Sequence, residues 1–246
     1  MKSSRPVLNA IKGGLIVSCQ ALPYEPLHGS EIMSKMALAA QRGGAIGIRA
    51  NTVEDIRAIR TQVDLPIIGI IKKDYPDCPV FITPTAAEVD ALVEAHVDII
   101  AIDATNRPRP GGKPLEAFFM PLRSKYPDTV FMADCSTLAD AVNAQRIGFD
   151  CVGSTLSGYT NETKNTPLPN LTMIREMSST LDLPVIAEGG IWTPEQLVQV
   201  FQSGAWTAVV GTAITRPMEI TQRYQEALLA WKHLQSVQMT SSANNS

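Results

Sequence analysis

The chain has 246 residues; 45% of them are hydrophobic, 18% are charged, and the formal net charge is −3. This length is close to the roughly 250 residues of one β/α barrel, and the apolar content is sufficient for a large core. The mild acidity, the lack of a basic block and the lack of any apolar run of ~20 residues argue against nucleic-acid binding, anionic-membrane binding and a membrane span.

Eight short apolar runs recur along the chain, and each is followed by a loop and then by an amphipathic segment. In chain order the runs are 14–19, 45–49, 66–71, 98–102, 129–133, 151–155, 184–187 and 208–210. Their near-continuous valine and isoleucine content favours strands of a parallel sheet that is buried on both faces. Strands that alternate with helices predict an α/β fold, and eight such units predict a (β/α)8 TIM barrel.

The same alternation could also produce an open, doubly wound sheet. Open folds that bind dinucleotides usually carry a GxGxxG loop after the first strand, whereas here that strand ends in Ser18, Cys19 and Gln20. Glycine pairs instead follow the seventh strand, where barrels often bind phosphate. We therefore predict one barrel domain over residues 1–235, followed by a small, polar and disordered tail over residues 236–246.

Helix-start and helix-end signals support the segments between the strands. Thr85 with Glu88 has the spacing of a capping box, and Thr193-Pro194 with Gln196 has a cap, a first-turn proline and a second box residue. Ser136 or Thr137 could begin the helix that ends near Gly148. We expect these helices to cover the outside of the barrel.

The residue types exclude a disulfide framework and a zinc site. The four cysteines form no CxxC pair, and the three histidines share no metal-ligand spacing. Residues 1–10 lack the apolar centre of a signal peptide. We expect reduced thiols in a cytoplasmic protein without a metal.

Polar or charged residues occur at the carboxyl ends of seven consecutive predicted strands. They are Gln20, Arg49, Lys72, Asp103, Asp134, Thr155 and Glu188. Each of them alone could be a surface charge, a helix cap or a salt-bridge partner. Because the carboxyl ends of barrel strands meet at one rim, seven such groups together predict an active site there.

Small residues after the last two strands indicate the ligand. Gly189-Gly190 follow the seventh strand, and Gly211-Thr212 follow the eighth, with Arg216 close behind. Backbone N–H groups of such turns, a helix N-terminus and an arginine form a recurrent phosphate site in barrels, although glycine turns are also common without a ligand. The two longest loops, 73–85 and 156–169, are expected on the same face.

Longer runs around these residues resemble one family. GLIVSCQALPYEPL, PIIGIIKKDYP, ADCSTLAD, GSTLSGYT, VIAEGGIWTPEQ and VVGTAITRP are similar to the N-acylglucosamine-6-phosphate 2-epimerases of bacteria. The resemblance extends from about residue 13 to about residue 230 and includes the order of all eight units.

The resemblance implies a TIM barrel that interconverts N-acetylmannosamine 6-phosphate and N-acetylglucosamine 6-phosphate in sialic acid catabolism. It implies no organic cofactor and a homodimer. It places the catalytic lysine and glutamate at Lys72 and Glu188. It places the substrate-contacting glutamine, arginine and aspartate at Gln20, Arg49 and Asp134, and it matches the arginine of ITRP with Arg216.

Epimerisation at C2 requires a base, a group that stabilises the enolate oxygen, and a proton source. Our hypothesis is that Lys72 is the base, that Glu188 relays or supplies a proton, and that Arg49 and Gln20 stabilise the developing charge. Two alternatives stay open: another sugar-phosphate isomerase on the same barrel, and a non-catalytic barrel that binds a phosphosugar. The second would need the glycine pairs and Arg216 but not Lys72 and Glu188 together.

Overall fold

The computed structural model describes residues 5–243, and side chains are described for residues 5–235. Eight strands alternate with helices in this part of the chain. The strands are β1 (Leu15–Cys19), β2 (Gly47–Asn51), β3 (Ile67–Ile70), β4 (Ile99–Asp103), β5 (Val130–Asp134), β6 (Cys151–Gly153), β7 (Val185–Glu188) and β8 (Thr207–Val210). The helices are α1 (Pro6–Ala10), α2 (Ser30–Arg42), α3 (Val53–Arg60), α4 (Ala86–Glu94), α5 (Leu115–Lys125), α6 (Leu138–Ile147), α7 (Leu171–Thr180), α8 (Pro194–Gln202), α9 (Thr212–Thr215) and α10 (Pro217–Ala243), with a 3-10 turn at Pro110–Gly112.

The eight strands form one closed sheet. Each strand pairs in parallel with the next along the chain, and β8 pairs with β1, so that Ile16 lies beside both Gly47 and Val209. The predicted (β/α)8 barrel is confirmed, and the open doubly wound sheet is excluded. Each predicted apolar run overlaps one strand, because a parallel sheet that is covered on both faces needs apolar residues on both.

The core has two layers, as strand alternation requires. Inward-facing residues such as Ile16, Ile68 and Ile186 fill the barrel. Outward-facing residues such as Ile48 and Val152 pack against the surrounding helices. Each fully buried isoleucine contributes roughly 1.5–3 kcal/mol relative to an exposed one, so this double layer supplies a rigid frame for the loops at the rim.

The predicted helix signals are confirmed. Capping boxes begin α4, α6 and α8 at Thr85, Thr137 and Thr193. Helix α6 ends at Gly148, whose φ of 96° lies in the left-handed region that favours glycine. Of the two possible caps for α6, Thr137 is the residue that accepts from the Asp140 N–H.

Helix α1 closes the amino-terminal end of the barrel. Leu8 and Ile11 are completely buried in the same cluster as the barrel interior. The indole N–H of Trp206 donates to the backbone carbonyl of Leu8 at 2.7 Å, and Arg5 pairs with Asp150 at 3.3 Å. These contacts fix the helix across the end of the barrel that is opposite to the predicted site.

Helix α10 runs from Pro217 to Ala243. Its backbone continues past the domain boundary that we expected at residue 235, and residues 1–4 and 244–246 lie outside the described part of the chain. The boundary and the disordered tail therefore stay predictions. Among the described residues, none of the helices combines the length and the hydropathy that crossing a membrane requires.

Candidate active site

A cavity of about 380 Å³ opens at the carboxyl ends of the strands. All but two of the predicted site residues line it. Those in the lining are Gln20, Arg49, Lys72, Thr155, Glu188, Gly189, Gly190, Gly211, Thr212 and Arg216. The exceptions are Asp103 and Asp134, which are both completely buried; Asp134 lies behind Arg49. The barrel thus brings together residues from nearly the whole length of the chain.

Strand alternation places Arg49 inside the barrel. Its neighbours Ile48 and Ala50 belong to the outer layer of the core, so Arg49 takes the inner face. In the sheet it lies beside Ser18 of β1 and Ile68 of β3. The arginine is only 1% exposed, so it must find its charge partners within the barrel.

Arg49 joins two carboxylates that come from distant strands. Its Nη1 and Nη2 atoms donate to the two oxygens of Asp134 at 3.2 and 2.6 Å. Nη1 also lies 2.8 Å from Oε2 of Glu188. The Thr155 hydroxyl is 2.7 Å from Asp134 and 3.1 Å from Glu188, and its single hydrogen can serve only one of them at a time. One cation between two acids favours a proton on one of the acids.

Glu188 is the acid with the raised pKa. Burial raises the pKa of its carboxyl group to about 7, against the opposing effect of Arg49; the charge of Asp134 raises it further, and Thr155 and Lys72 lower it. The backbone of Glu188 is fixed by Ser154, whose hydroxyl accepts from the Glu188 N–H at 3.0 Å and donates to its carbonyl at 2.9 Å. Glu188 is therefore a positioned group that exchanges a proton near neutral pH.

The pKa of Lys72 is shifted in the opposite direction. Burial and the neighbouring charge of Arg49 lower the pKa of its amine to about 8, whereas Glu188 opposes this change. The Lys72 backbone N–H donates to Oδ1 of Asn51 at 2.8 Å, which fixes the start of the loop. The amine forms no ion pair with the residues that the structure describes. The adjacent Lys73 is paired with Glu88 at 3.3 Å.

Gln20 is oriented by its strand neighbour. Its Nε2 donates to the hydroxyl of Ser18 at 2.7 Å, while the buried Oε1 atom has no partner among the described residues. A buried amide oxygen without a partner is uncommon. Gln20 therefore offers a hydrogen-bond acceptor to a molecule in the cavity.

At the turns Gly189-Gly190 and Gly211-Thr212, the glycines have no side chains, so the backbone itself forms part of the cavity wall. Gly189 and Gly190 have φ values of 110° and 69°, a region that other residues rarely adopt. A Cβ atom on Gly190 would lie 2.3 Å from Cβ of Leu168, so this turn cannot accept a side chain without a shift. Gly211 precedes Thr212, the first residue of α9. Both turns can present N–H groups closely to an anion.

Arg216 lines the cavity, but it already has protein partners. Its Nε donates to Glu25 at 2.8 Å, and its Nη2 donates to Glu219 at 3.0 Å. Burial would raise the pKa of Glu25, but the hydrogen bonds from Arg216 and from the Leu22 N–H hold it below its usual range. The pair fixes Arg216 at the cavity wall and leaves its remaining N–H groups for a ligand.

Sequence reasoning missed Glu25 and the aromatic walls of the cavity. Phe81 comes from loop 73–85, Tyr159 from loop 156–169, and Trp192 from the segment after the glycine pair. The length of these two loops was the feature of the sequence that could have indicated the aromatic walls. Asp103 is at a strand end as expected, but it does not line the cavity: its carboxylate is bonded to Thr105 at 2.7 Å and Arg107 at 2.6 Å.

Residues 5–235 contain no group of three or more histidine, cysteine, aspartate or glutamate side chains that could hold a metal ion. The charged groups of the site are instead paired with one another, apart from Lys72. The site can therefore exchange a proton at Lys72 and Glu188, stabilise negative charge beside Arg49, and bind an anion at the glycine turns.

Comparison with known proteins identifies the family. The family described as putative N-acetylmannosamine-6-phosphate epimerase matches residues 33–230 of the chain. The chain belongs to this family. Among its relatives, a protein of Enterobacter sp. (strain 638) named putative N-acetylmannosamine-6-phosphate 2-epimerase is 54% identical over 228 residues, which cover 92% of this chain and 97% of the relative. A relative of the same name from Listeria monocytogenes is 52% identical over 220 residues, or 89% of this chain and 93% of the relative.

A solved structure is similar over nearly the same length. The N-acetylmannosamine-6-phosphate 2-epimerase from Clostridium perfringens has a TM-score of 0.85 and 47% identity, covering 89% of this chain and 95% of that one. A thiamine phosphate pyrophosphorylase from Pyrococcus furiosus has a TM-score of 0.59 at 18% identity, which shows a shared fold alone. The family resemblance expected from the sequence is confirmed.

Proposed function

We propose that this member of the epimerase family interconverts N-acetylmannosamine 6-phosphate and N-acetylglucosamine 6-phosphate, a step in the breakdown of sialic acid. The names of its relatives support this reaction. The observation that carries the proposal is the carboxyl group of Glu188 and the amine of Lys72, with pKa values of about 7 and 8, in one cavity with two glycine turns.

The reaction inverts C2 by removing and returning one proton. The C2–H bond is acidic only when the sugar ring is open, because C1 is then a carbonyl that accepts the electron pair. The reaction requires a base, an acid and a group that stabilises the oxygen, and it is neither an oxidation nor a reduction. We therefore propose that no organic cofactor or metal takes part.

Lys72 and Glu188 are proposed as the catalytic pair. The pKa of Glu188 is raised and that of Lys72 is lowered toward neutral pH, so the state in which the two groups together hold one proton is well populated there. In that state one group is a base and the other an acid. The same pair can thus serve both reaction directions, with the roles exchanged.

The other groups are proposed to bind and orient the substrate. Arg49 and Gln20 line the same cavity as Lys72 and Glu188, so they are proposed to stabilise the charge that develops on the enolate oxygen. The Thr155 hydroxyl lies 3.1 Å from Glu188. Asp134 holds the guanidinium of Arg49 by two hydrogen bonds, which supports a positioning role from behind the cavity. The phosphate is proposed to bind at Gly189, Gly190, Gly211, Thr212 and Arg216.

The direct test is proton NMR of N-acetylmannosamine 6-phosphate in deuterated water with the purified protein. We expect loss of the C2 proton signal and the appearance of N-acetylglucosamine 6-phosphate deuterated at C2. A substrate that binds but shows neither exchange nor product would overturn the proposal and would favour a non-catalytic phosphosugar-binding barrel.

The pH dependence of kcat/KM should be bell-shaped, with limbs near pH 7 and 8. Below the lower limb both groups hold protons and no base is present; above the upper limb both have lost them and no acid is present. Steady-state rates between about pH 6 and 9 measure this, with the substrate phosphate titrated separately. A flat profile in this range would contradict the shared-proton pair.

Arg216→Ala should weaken substrate binding more than turnover. Because a hydrogen bond to a charged group contributes about 1.5–3 kcal/mol, KM should rise about 10- to 150-fold, while kcat changes little. Arg175→Ala is the control, since Arg175 is exposed on α7 and lies outside the cavity lining. A fall in kcat at constant KM would exclude Arg216 from the phosphate site.

We also propose that the protein is a cytoplasmic homodimer without nucleic-acid or membrane partners. The described part of α10 exposes a set of large apolar side chains that a second copy could cover. They are Leu228, Leu229, Trp231 and Leu234, exposed by 42%, 62%, 56% and 61%. Exposed apolar patches of this kind are typical of protein interfaces. The four unpaired cysteines support a reducing compartment.

A further inference from the structure

A second cavity lies between the loop after β4 and the first turns of α4 and α5. Its volume is about 160 Å³, and none of its lining residues lines the active-site cavity. Arg109 and Lys113 contribute positive charge, whereas no aspartate or glutamate is part of the lining. The cavity is therefore separate from the proposed catalytic machinery and positively charged.

Arg109 is the unusual residue in this cavity. It is only 3% exposed, and its guanidinium lies 4.4 Å from the centre of the Phe118 ring. Its Nη2 donates to the backbone carbonyl of Asp103. The Nε and Nη1 atoms, which together carry three N–H donors, are buried without a partner among the described residues. Buried polar groups are nearly always paired, so these donors point to an acceptor that the protein does not supply.

Among the described residues, no carboxylate forms an ion pair with Arg109. The nearby Asp103 side chain is bonded to Thr105 at 2.7 Å and to Arg107 at 2.6 Å. Burial lowers the pKa of Arg109 to about 10, partly offset by the charge of Asp103, so the guanidinium is still a cation at neutral pH. A buried cation without a paired anion is costly, and an anionic ligand would remove this cost.

The backbone at the start of α5 also contributes positive electrostatic potential to this cavity. Thr85 and Ala86, at the start of α4, line the cavity, and Phe118 belongs to the first turns of α5. The N-cap of α5 is Pro114, which provides no side-chain cap for the first N–H groups. The uncapped N-terminus of α5 adds positive potential to that of Arg109 and Lys113, whereas the first N–H groups of α4 are already satisfied by its capping box with Glu88.

We propose that this cavity is a second anion site, which binds a phosphate group either as the free ion or as a small monoester. Three unused N–H donors of Arg109 match an anion with several acceptor oxygens, and the exposed Lys113 completes the charge at the entrance. The volume admits a phosphate group but is less than half that of the active-site cavity.

Equilibrium dialysis of the full chain with radiolabelled inorganic phosphate tests the proposal. The wild type should bind two phosphates per chain, Arg109→Met should bind one, and Arg216→Ala should keep the site at Arg109. Methionine matches the length of the arginine stem and removes the unpaired donors together with the buried charge, so the fold is expected to persist. An unchanged substrate KM for Arg109→Met verifies an intact active site. One phosphate per wild-type chain that Arg109→Met still binds, or two per Arg109→Met chain, would overturn the proposal.

A second variant decides the question even if Arg109→Met does not fold. Lys113→Gln, at an exposed position, should weaken the second phosphate site about 3- to 10-fold. Lys35→Gln is the matched control, because Lys35 is exposed on α2 and lines neither cavity. Equal phosphate affinity of Lys113→Gln and the wild type would count against the site. Competition by methyl phosphate distinguishes the sources: equal competition identifies a monoester site, and weak competition a site for the free ion.

Discussion

Lys72→Met should slow the exchange of the C2 proton by about 10²–10⁴-fold, the usual contribution of a general acid or base. The variant keeps Glu188 but loses the second proton-transfer group, so no acid–base pair is left in the cavity. Methionine fills the space of the lysine stem, and the glycine turns are unchanged. The substrate affinity of Lys72→Met, measured by titration calorimetry, should therefore differ little from that of the wild type.

The adjacent lysine provides the matched control for this substitution. Lys73 has the same chemistry one position along the chain, but it is 54% exposed and paired with Glu88. Lys73→Met should keep exchange within about twofold of the wild type, as expected for a surface ion pair. Exchange in Lys72→Met that equals exchange in Lys73→Met would remove Lys72 from its proposed role.

Arg49→Met should lower the free energy of unfolding by about 3–5 kcal/mol, because it leaves Asp134 and Glu188 buried side by side without their cation. Activity should also fall strongly, since the group that would stabilise the enolate oxygen is gone. Urea unfolding followed by circular dichroism measures the first effect, and the NMR exchange assay measures the second.

Two further variants test the origin of this loss. Arg146→Met breaks the pair between Arg146 and Glu116, whose side chains are 57% and 52% exposed, and should cost only about 1 kcal/mol or less. Arg49→Met combined with Asp134→Asn should recover part of the stability, because one buried charge is removed with the other. Additive effects of the two substitutions would show that the buried pair is not the cause.

The architecture could be predicted because it depends on local patterns. Each strand has an apolar run that is long enough to show in the sequence, and capping residues such as Thr137 and Thr193 mark the helices between them. The site followed from topology: once the strands are parallel and closed, their carboxyl ends must share one rim. That rule was enough to bring Lys72 and Glu188 to one cavity.

The rest of the site depends on contacts between distant residues, which no local pattern indicates. Glu25 and Arg216 are separated by 191 positions, and their ion pair arises only when the barrel closes between β8 and β1. Asp103 and Asp134 are partners in the sheet register and have the same place at a strand end. Only the folded chain shows that Asp134 holds Arg49, whereas Asp103 binds Arg107.

Within residues 5–235, helix α1 covers the amino-terminal end of the barrel, and the active-site cavity opens at the other end. Because Leu8 and Ile11 seal the far end, the incoming sugar, the outgoing epimer and the water that exchanges the migrating proton must all use the same opening. The product must leave before the next substrate molecule enters, and the open-chain enolate cannot leave through the amino-terminal end of the barrel. Entry and exit of these molecules past Phe81, Tyr159 and Trp192 can therefore limit turnover, as product release does in many enzymes.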